Sequence, residues 1–179
     1  PIKSHTSLIR MSEVKLGFYL VVSILVSYKK VDLAVQAFNK LGLPLVIVGT
    51  GNEEQRLKKM ARRNVKFVGQ LTDEALADYY KKCIALIMPQ EEDFGIVALE
   101  AQAAGKPVIA YKAGGALDTV IDRKTGIFFD NQNVDSLVGV VKKFKGMKFN
   151  RQDLLKNAQR FSKDRFRREF LKLVSDVKR

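Results

Sequence analysis

Short apolar runs recur along the chain, each followed by a polar turn and then a stretch with helical spacing. The runs at 18–23, 43–48, 65–68, 83–88, 107–111 and 127–129 are apolar at most successive positions rather than at alternate ones. That pattern predicts strands buried on both faces, as in a parallel sheet covered by helices. Between the runs, a helix is expected over 31–41, with Leu33, Ala34, Ala37 and Phe38 on one face. A second is expected over about 53–63. A third opens at Thr72-Asp73-Glu74, an N-cap pattern, and closes near Tyr79 and Tyr80. A fourth runs from near Gly95 to Gly105, with Pro107 just beyond. Three more, at 134–145, 151–161 and 166–177, follow the last run. In the last of these Phe166, Phe170, Leu171 and Val174 share helical spacing and are expected to pack. Apolar runs alternating with helices imply an α/β fold: a doubly wound, Rossmann-like, six-stranded parallel sheet with extra C-terminal helices. The expected organisation is a linker or leader at 1–16, a ligand-binding domain at 17–161 and a basic C-terminal helix at 162–179.

Ligands of such sheets sit beyond the carboxyl ends of the strands, at helix N-termini. Three loops are expected at that edge: the one carrying Lys29 and Lys30, the one from Glu92 to Ile96, and Gly114-Gly115. The middle one opens the stretch PQEEDFGIVALEAQAAG, residues 89–105, which joins a buried strand to a helix through an acidic, glycine-containing loop. A helix start presents unpaired N–H groups and about half a positive charge, which suits an anion. Glu92 precedes that start and Glu100 follows it with seven residues between them. A carboxylate repels phosphate but accepts hydrogen bonds from sugar hydroxyls. Phosphate on the amides of Phe94, Gly95 and Ile96, with hydroxyls on the two glutamates, describes a nucleotide-sugar. The same spacing also suits a Glu92 that merely favours the helix dipole and a Glu100 that is solvated. At Gly114-Gly115 the missing side chains leave room for close approach of a ligand. Gly49-Thr50-Gly51 reads as a tight turn.

Composition narrows this picture. The chain has 179 residues, 46% hydrophobic and 28% charged, the size and balance of one globular domain. No run approaches the length of a membrane-spanning helix. The single cysteine, Cys83, lies in the fourth apolar run and reads as a small buried hydrophobe. His5 is the only histidine and lies in the polar N-terminal segment, where it reads as incidental. There is no Asp-x-Asp or His/Cys cluster, so no metal is expected. The formal net charge is +13, and from Lys142 onward fourteen basic residues face four acidic ones. Such an excess suits a solvated face, an anionic membrane surface or an acidic partner. Nucleic acid is not expected, because no base-reading motif accompanies the charge.

E-D-F-G-I-V-A-L-E-A, then A-A-G-K-P-V-I-A, then Gly-Gly, occur in the order of the donor-binding signature of GT-B retaining glycosyltransferases, family 4 or group 1. From about Gly17 to the C-terminus the chain resembles the C-terminal, donor-binding domain of that family, with mannosyltransferases of the WbaZ type as the nearest likeness. The resemblance implies a nucleoside-diphosphate sugar as substrate, GDP-mannose favoured, with no cofactor. It implies ribose hydroxyls on Glu100, sugar hydroxyls on Glu92, and a base against the backbone of Leu71. Lys29, with Lys30 beside it, would stabilise the departing diphosphate. It further implies an acceptor-binding domain upstream and transfer in polysaccharide, lipopolysaccharide or glycolipid synthesis. The location implied is cytoplasmic, with peripheral contact at the inner membrane face. Two positions depart from the family. Ile24 stands where members carry an arginine, five residues before the lysine, and Asp118 is the nearest acid where a glutamate follows the glycine pair. A related epimerase and a non-enzymatic partner- or membrane-binding module are the alternatives.

Overall fold

The computed structural model describes residues 17–177. Six strands, β1 (Tyr19–Val22), β2 (Leu45–Val48), β3 (Val65–Gly69), β4 (Ala85–Met88), β5 (Val108–Tyr111) and β6 (Gly126–Phe129), form one sheet in the order β3-β2-β1-β4-β5-β6. Every neighbouring pair is parallel. The expected doubly wound, Rossmann-like sheet is therefore present. The order reverses between β1 and β4, and this is where such sheets open a crevice at their carboxyl edge.

Both faces of the sheet are covered, which is why the apolar runs are continuous. On β1, Tyr19 and Val21 enter one core while Phe18, just before the strand, and Leu20 enter the other. The same period of two divides Leu45 and Ile47 from Val46 and Val48, and Ala85 and Ile87 from Leu86 and Met88. Helices α1 (Val31–Leu41), α2 (Glu54–Met60) and α6 (Val134–Phe144) cover the first face, through residues such as Phe38, Leu57, Leu137 and Phe144. Helices α3 (Asp73–Lys82), α4 (Ile96–Ala103) and the short α5 (Ala116–Thr119) cover the second, through Tyr79, Tyr80, Ala98, Ala101 and Ala116. Helix α7 (Arg151–Gln159) lies against α4.

The α4–α7 contact is polar at its centre. The buried Asn157 side-chain amide donates to Gln102 Oε1 at 2.7 Å and to the Thr119 carbonyl at 2.8 Å. Gln102 donates to the same carbonyl at 2.8 Å, and the Thr119 hydroxyl donates to the Gly115 carbonyl at 2.9 Å. Each buried amide is thereby satisfied, and α5 is locked between α4 and α7.

Helix α8 (Lys163–Val177) departs from expectation. Its apolar residues were expected to pack, yet Phe166 is 68% exposed, and Phe170, Leu171, Leu173 and Val174 are exposed too. Phe166 and Phe170 stack on each other, ring centroids 5.8 Å apart. Helical spacing shows that residues share a face, not that anything covers it. The N-terminal segment 1–16, with His5, and the last two basic residues of the expected tail lie outside the described residues.

Candidate functional site

The crevice at the strand-order reversal is built from the segments after β1 and β4. After β1, the backbone runs along β2's exit: Ser23 N–H donates to the Val48 carbonyl at 3.1 Å and Leu25 N–H to that of Thr50 at 2.9 Å. Gly49 and Gly51 make this possible. A Cβ on Gly49 would lie 1.9 Å from the Ser23 carbonyl oxygen, and one on Gly51 2.2 Å from that of Leu25. The two glycines thus serve backbone approach between adjacent loops, in line with a tight turn. The segment then makes a single 3-10 turn, Ser27–Lys29, where a plain loop was expected. Lys30 follows in the left-handed region at φ 50°, caps α1 and stays exposed.

The turn directs Lys29 across the crevice. Its Nζ lies 2.6 Å from Oε1 and 2.8 Å from Oε2 of Glu92, with side chains 17% and 20% exposed. The Tyr28 ring sits 5.1 Å from the same ammonium. Glu92 is also held by Gln90, whose Nε2 donates to Oε1 at 2.7 Å. Its backbone carbonyl accepts from Gly115 N–H at 2.6 Å. The two residues implied to act on the donor's sugar and diphosphate are therefore brought together, and they engage each other.

Gly114 and Gly115 explain how the acidic loop is seated. A Cβ on Gly114, at φ +53°, would lie 2.3 Å from the Glu92 carbonyl oxygen, and one on Gly115 2.5 Å from the Asp93 carbonyl oxygen and Phe94 Cα. The room at this pair is filled by the protein's own loop, where room for a ligand was expected. Gly95 then turns the chain at φ 80° into α4 and provides no side-chain cap. Phe94, Gly95, Ile96 and Val97 N–H groups have no hydrogen-bond partner among the described residues. By contrast, Thr72, Asn133 and Asn150 cap α3, α6 and α7 with side-chain oxygens. Helices α1 and α4, which start at the two lips of the crevice, keep their positive ends open. The Phe94 ring turns away to meet Phe161 edge-on, centroids 5.7 Å apart.

Glu100 occupies the next turn of α4 and accepts from the Tyr80 hydroxyl at 2.8 Å. Burial, with the Glu100 charge second, raises the Tyr80 phenol well above its ordinary value, so it remains a neutral donor. Glu100 and Tyr80 line a groove with Asp73 and Leu76. Leu76 also lines an adjoining groove of about 560 Å3 between Ile24, Gly49, Gln70, Leu71 and Val97. Leu71 and Glu100 thus border two adjoining, largely apolar depressions along α3 and α4 that meet at Leu76. Lys29 and Glu92 line neither. Ile24, where the resemblance implies an arginine, is 63% exposed at the rim of the depression by Leu71. Asp118 is exposed on α5. Gln90 and Tyr80, the direct partners of the two glutamates, were not recognised from sequence as site residues. A glutamine directly after a strand and a proline, and a tyrosine ending an apolar helix face, carry no signal of which carboxylate they will meet. Among the described residues no group of three or more His, Cys, Asp or Glu could hold a metal ion. No described helix is long and apolar enough to cross a membrane.

A doubly wound α/β domain with open helix starts at its switch point presents a crevice that favours an anion. Residues 11–161 match the family described as glycosyl transferases group 1, and the chain belongs to that family. An uncharacterized glycosyltransferase of Methanocaldococcus jannaschii is 28% identical over 152 residues, 82% of this chain and 43% of that protein. A GDP-mannose-dependent α-(1-6)-phosphatidylinositol monomannoside mannosyltransferase of Mycobacterium tuberculosis is 37% identical over 113 residues, 56% of this chain and 29% of that protein. The chain thus spans less than half the length of these relatives. Among solved structures, a glycosyltransferase from Rickettsia africae superimposes with a TM-score of 0.80 at 21% identity, covering 92% of this chain and 48% of that one. Anabaena HepE, solved with UDP and glucose, gives 0.73 at 22%, covering 89% and 48%.

Proposed function

We propose that the chain is the donor-binding half of a retaining hexosyltransferase, with GDP-mannose as the favoured donor. The observation that carries the reading is the convergence of Lys29, from the β1 side, and Glu92, from the β4 side, beside the uncapped start of α4. The diphosphate would lie over the amides of Phe94, Gly95 and Ile96. Glu100, oriented by Tyr80, would accept the ribose hydroxyls, and the base would rest in the apolar depression by Leu71. On donor arrival Lys29 would leave Glu92 for a phosphate oxygen, freeing the carboxylate for sugar hydroxyls. Lys29, with Lys30 nearby, and the open amides would then stabilise charge on the departing diphosphate, an oxyanion-hole kind of catalysis. The leaving group is good enough to need no general acid. Mannose is supported by the GDP-mannose dependence of the mycobacterial relative. The bound UDP of HepE leaves the choice of base to measurement.

The chain's share of its relatives' length supports an acceptor-binding half contributed by other residues, so transfer is expected only with that half present. Calorimetry with GDP, UDP and GDP-mannose is the direct test. Binding that Glu100→Ala abolishes supports the reading. Absence of nucleotide binding by the intact chain overturns it.

A peripheral membrane contact at the cytoplasmic face is supported by α8, whose exposed apolar residues are interleaved with Arg165, Arg167, Arg168 and Lys172. Salt-sensitive co-sedimentation with anionic vesicles, lost in Phe166→Asp/Phe170→Asp, is the expected result. Failure to sediment would leave α8 to a protein surface instead.

A further inference from the structure

Gln90 has no role in any reading above. It is 2% exposed, yet its side-chain amide points at the loop carboxylate and donates to Glu92 Oε1 at 2.7 Å. It follows β4 after Pro89, whose carbonyl accepts from Gln132 Nε2 at 3.0 Å, tying the loop to the segment before α6. We infer that Gln90 is the positioning residue of the site, holding Glu92 in its sugar-facing conformer when Lys29 moves to the diphosphate. The inference rests on the donor-binding reading.

Glu92 accepts three side-chain hydrogen bonds, two from Lys29 and one from Gln90. A lysine that engages a phosphate withdraws both of its own. The carboxylate would then be free to turn about its side-chain torsions, and that freedom would count against sugar binding. Gln90 is unable to withdraw in the same way, because a buried amide has no water to turn to. Its bond also occupies Oε1, so the less engaged oxygen, Oε2, is the one presented to an incoming hydroxyl.

The test compares the intact chain with Gln90→Met, which keeps the side chain's length and removes its donor. Affinity is measured for GDP, UDP, GDP-mannose and UDP-glucose. Expected is about a tenfold loss for the sugar nucleotide, the scale of one hydrogen bond to a charged group, with the matching nucleoside diphosphate changed less than about twofold. The loss should vanish in a Glu92→Gln background. Equal loss for both ligands, or a loss that persists without Glu92, overturns the inference and makes Gln90 a structural residue. If the unaltered chain binds no nucleotide, the donor-binding reading fails by itself. A double-mutant cycle on urea stability, Gln90→Met with Glu92→Gln, then decides separately: coupling keeps Gln90 as the holder of Glu92, and additivity removes it.

Discussion

Lys29 and Glu92, 63 residues apart in sequence, are bound to each other across the switch point of the sheet, with Nζ 2.6 Å from Oε1. Each is the other's main partner in this state. Removing the lysine leaves a partly buried carboxylate with Gln90 alone; removing the glutamate leaves a cation free for phosphate. The two substitutions are therefore expected to act in opposite directions on nucleotide binding. Lys29→Ala should weaken GDP or UDP by about 1.5–3 kcal/mol, the worth of a charge-assisted contact. Glu92→Gln should leave nucleoside diphosphate binding unchanged or tighter while weakening the sugar nucleotide. Because the pair keeps about a fifth of its surface in water, its contribution to folding is discounted to about 1 kcal/mol. Calorimetry of both variants with both ligand types checks the sign.

The glycines of the chain divide by what surrounds them. Gly115→Ala would press a Cβ onto Asp93 and Phe94 backbone at 2.5 Å, and Gly114→Ala onto the Glu92 carbonyl at 2.3 Å. Both should lower stability by more than about 2 kcal/mol and displace the acidic loop. Gly139, inside α6 with open space around it, is the contrast. Gly139→Ala should raise stability by about 0.5–1 kcal/mol through helix propensity and chain entropy. Urea unfolding of the three variants gives the comparison, and a mild Gly115→Ala would contradict the close seating of the loop.

How far the sequence carried the fold and the site depended on range. Strand positions were legible because a strand buried on both faces must be apolar at every position, as β1, β2 and β4 are. Lys29, Glu92 and Glu100 were singled out through the family resemblance, and the structure sets Lys29 against Glu92 and Glu100 against Tyr80. The Lys29–Glu92 pair was not legible, since nothing local says that a lysine in one loop will meet a carboxylate in another. Gly114-Gly115 looked like ligand space for the same reason: a missing side chain does not name its neighbour, and here the neighbour is the loop at Glu92. The exposed face of α8 was misjudged because spacing reports a shared face and nothing about its cover.

Tyr80 and Glu100 make a second pair with a separable effect. The phenol is held neutral by burial and donates at 2.8 Å, so Tyr80→Phe removes one hydrogen bond to a carboxylate and little volume. Freed from Tyr80, Glu100 samples more rotamers and costs more to order against a ribose. Nucleotide affinity should fall by about 1 kcal/mol, roughly fivefold, with GDP and GDP-mannose affected alike. Glu100→Gln should cost more. A Tyr80→Phe effect confined to the sugar nucleotide would place Glu100 away from the ribose.

Ile24 offers a gain rather than a loss. Its side chain is 63% exposed at the rim of the depression by Leu71, so a longer residue meets no core. Ile24→Arg would place a guanidinium at the position where the family resemblance implies one, and it should tighten nucleoside diphosphate binding about tenfold at low salt. Ile24→Leu should change nothing. The arginine's gain should shrink as ionic strength rises, which separates a phosphate contact from apolar contact with the base.

Cys83 gives the pH dependence its sign. Burial pushes its thiol up from 9.0 to about 12, with the Lys106 charge opposing, and the thiol donates to the Tyr80 carbonyl at 3.3 Å. The acid is thus harder to ionise folded than unfolded. Its contribution is complete below pH about 9, where both states are protonated, and is lost progressively between pH 9 and about 12 as the unfolded thiol ionises first. The slope in that window is about 1.4 kcal/mol per pH unit. Lysines and tyrosines titrate there too, so the readout is the stability difference between the unaltered chain and Cys83→Ala. That difference should be flat from pH about 7 to 9 and then move against the thiol, with the expected slope. Ellman's reagent should react with Cys83 only as fast as the chain unfolds. Parallel stability curves for the two proteins, or prompt labelling of the native thiol at pH about 8, would show that α3 and β4 do not seal this residue from water.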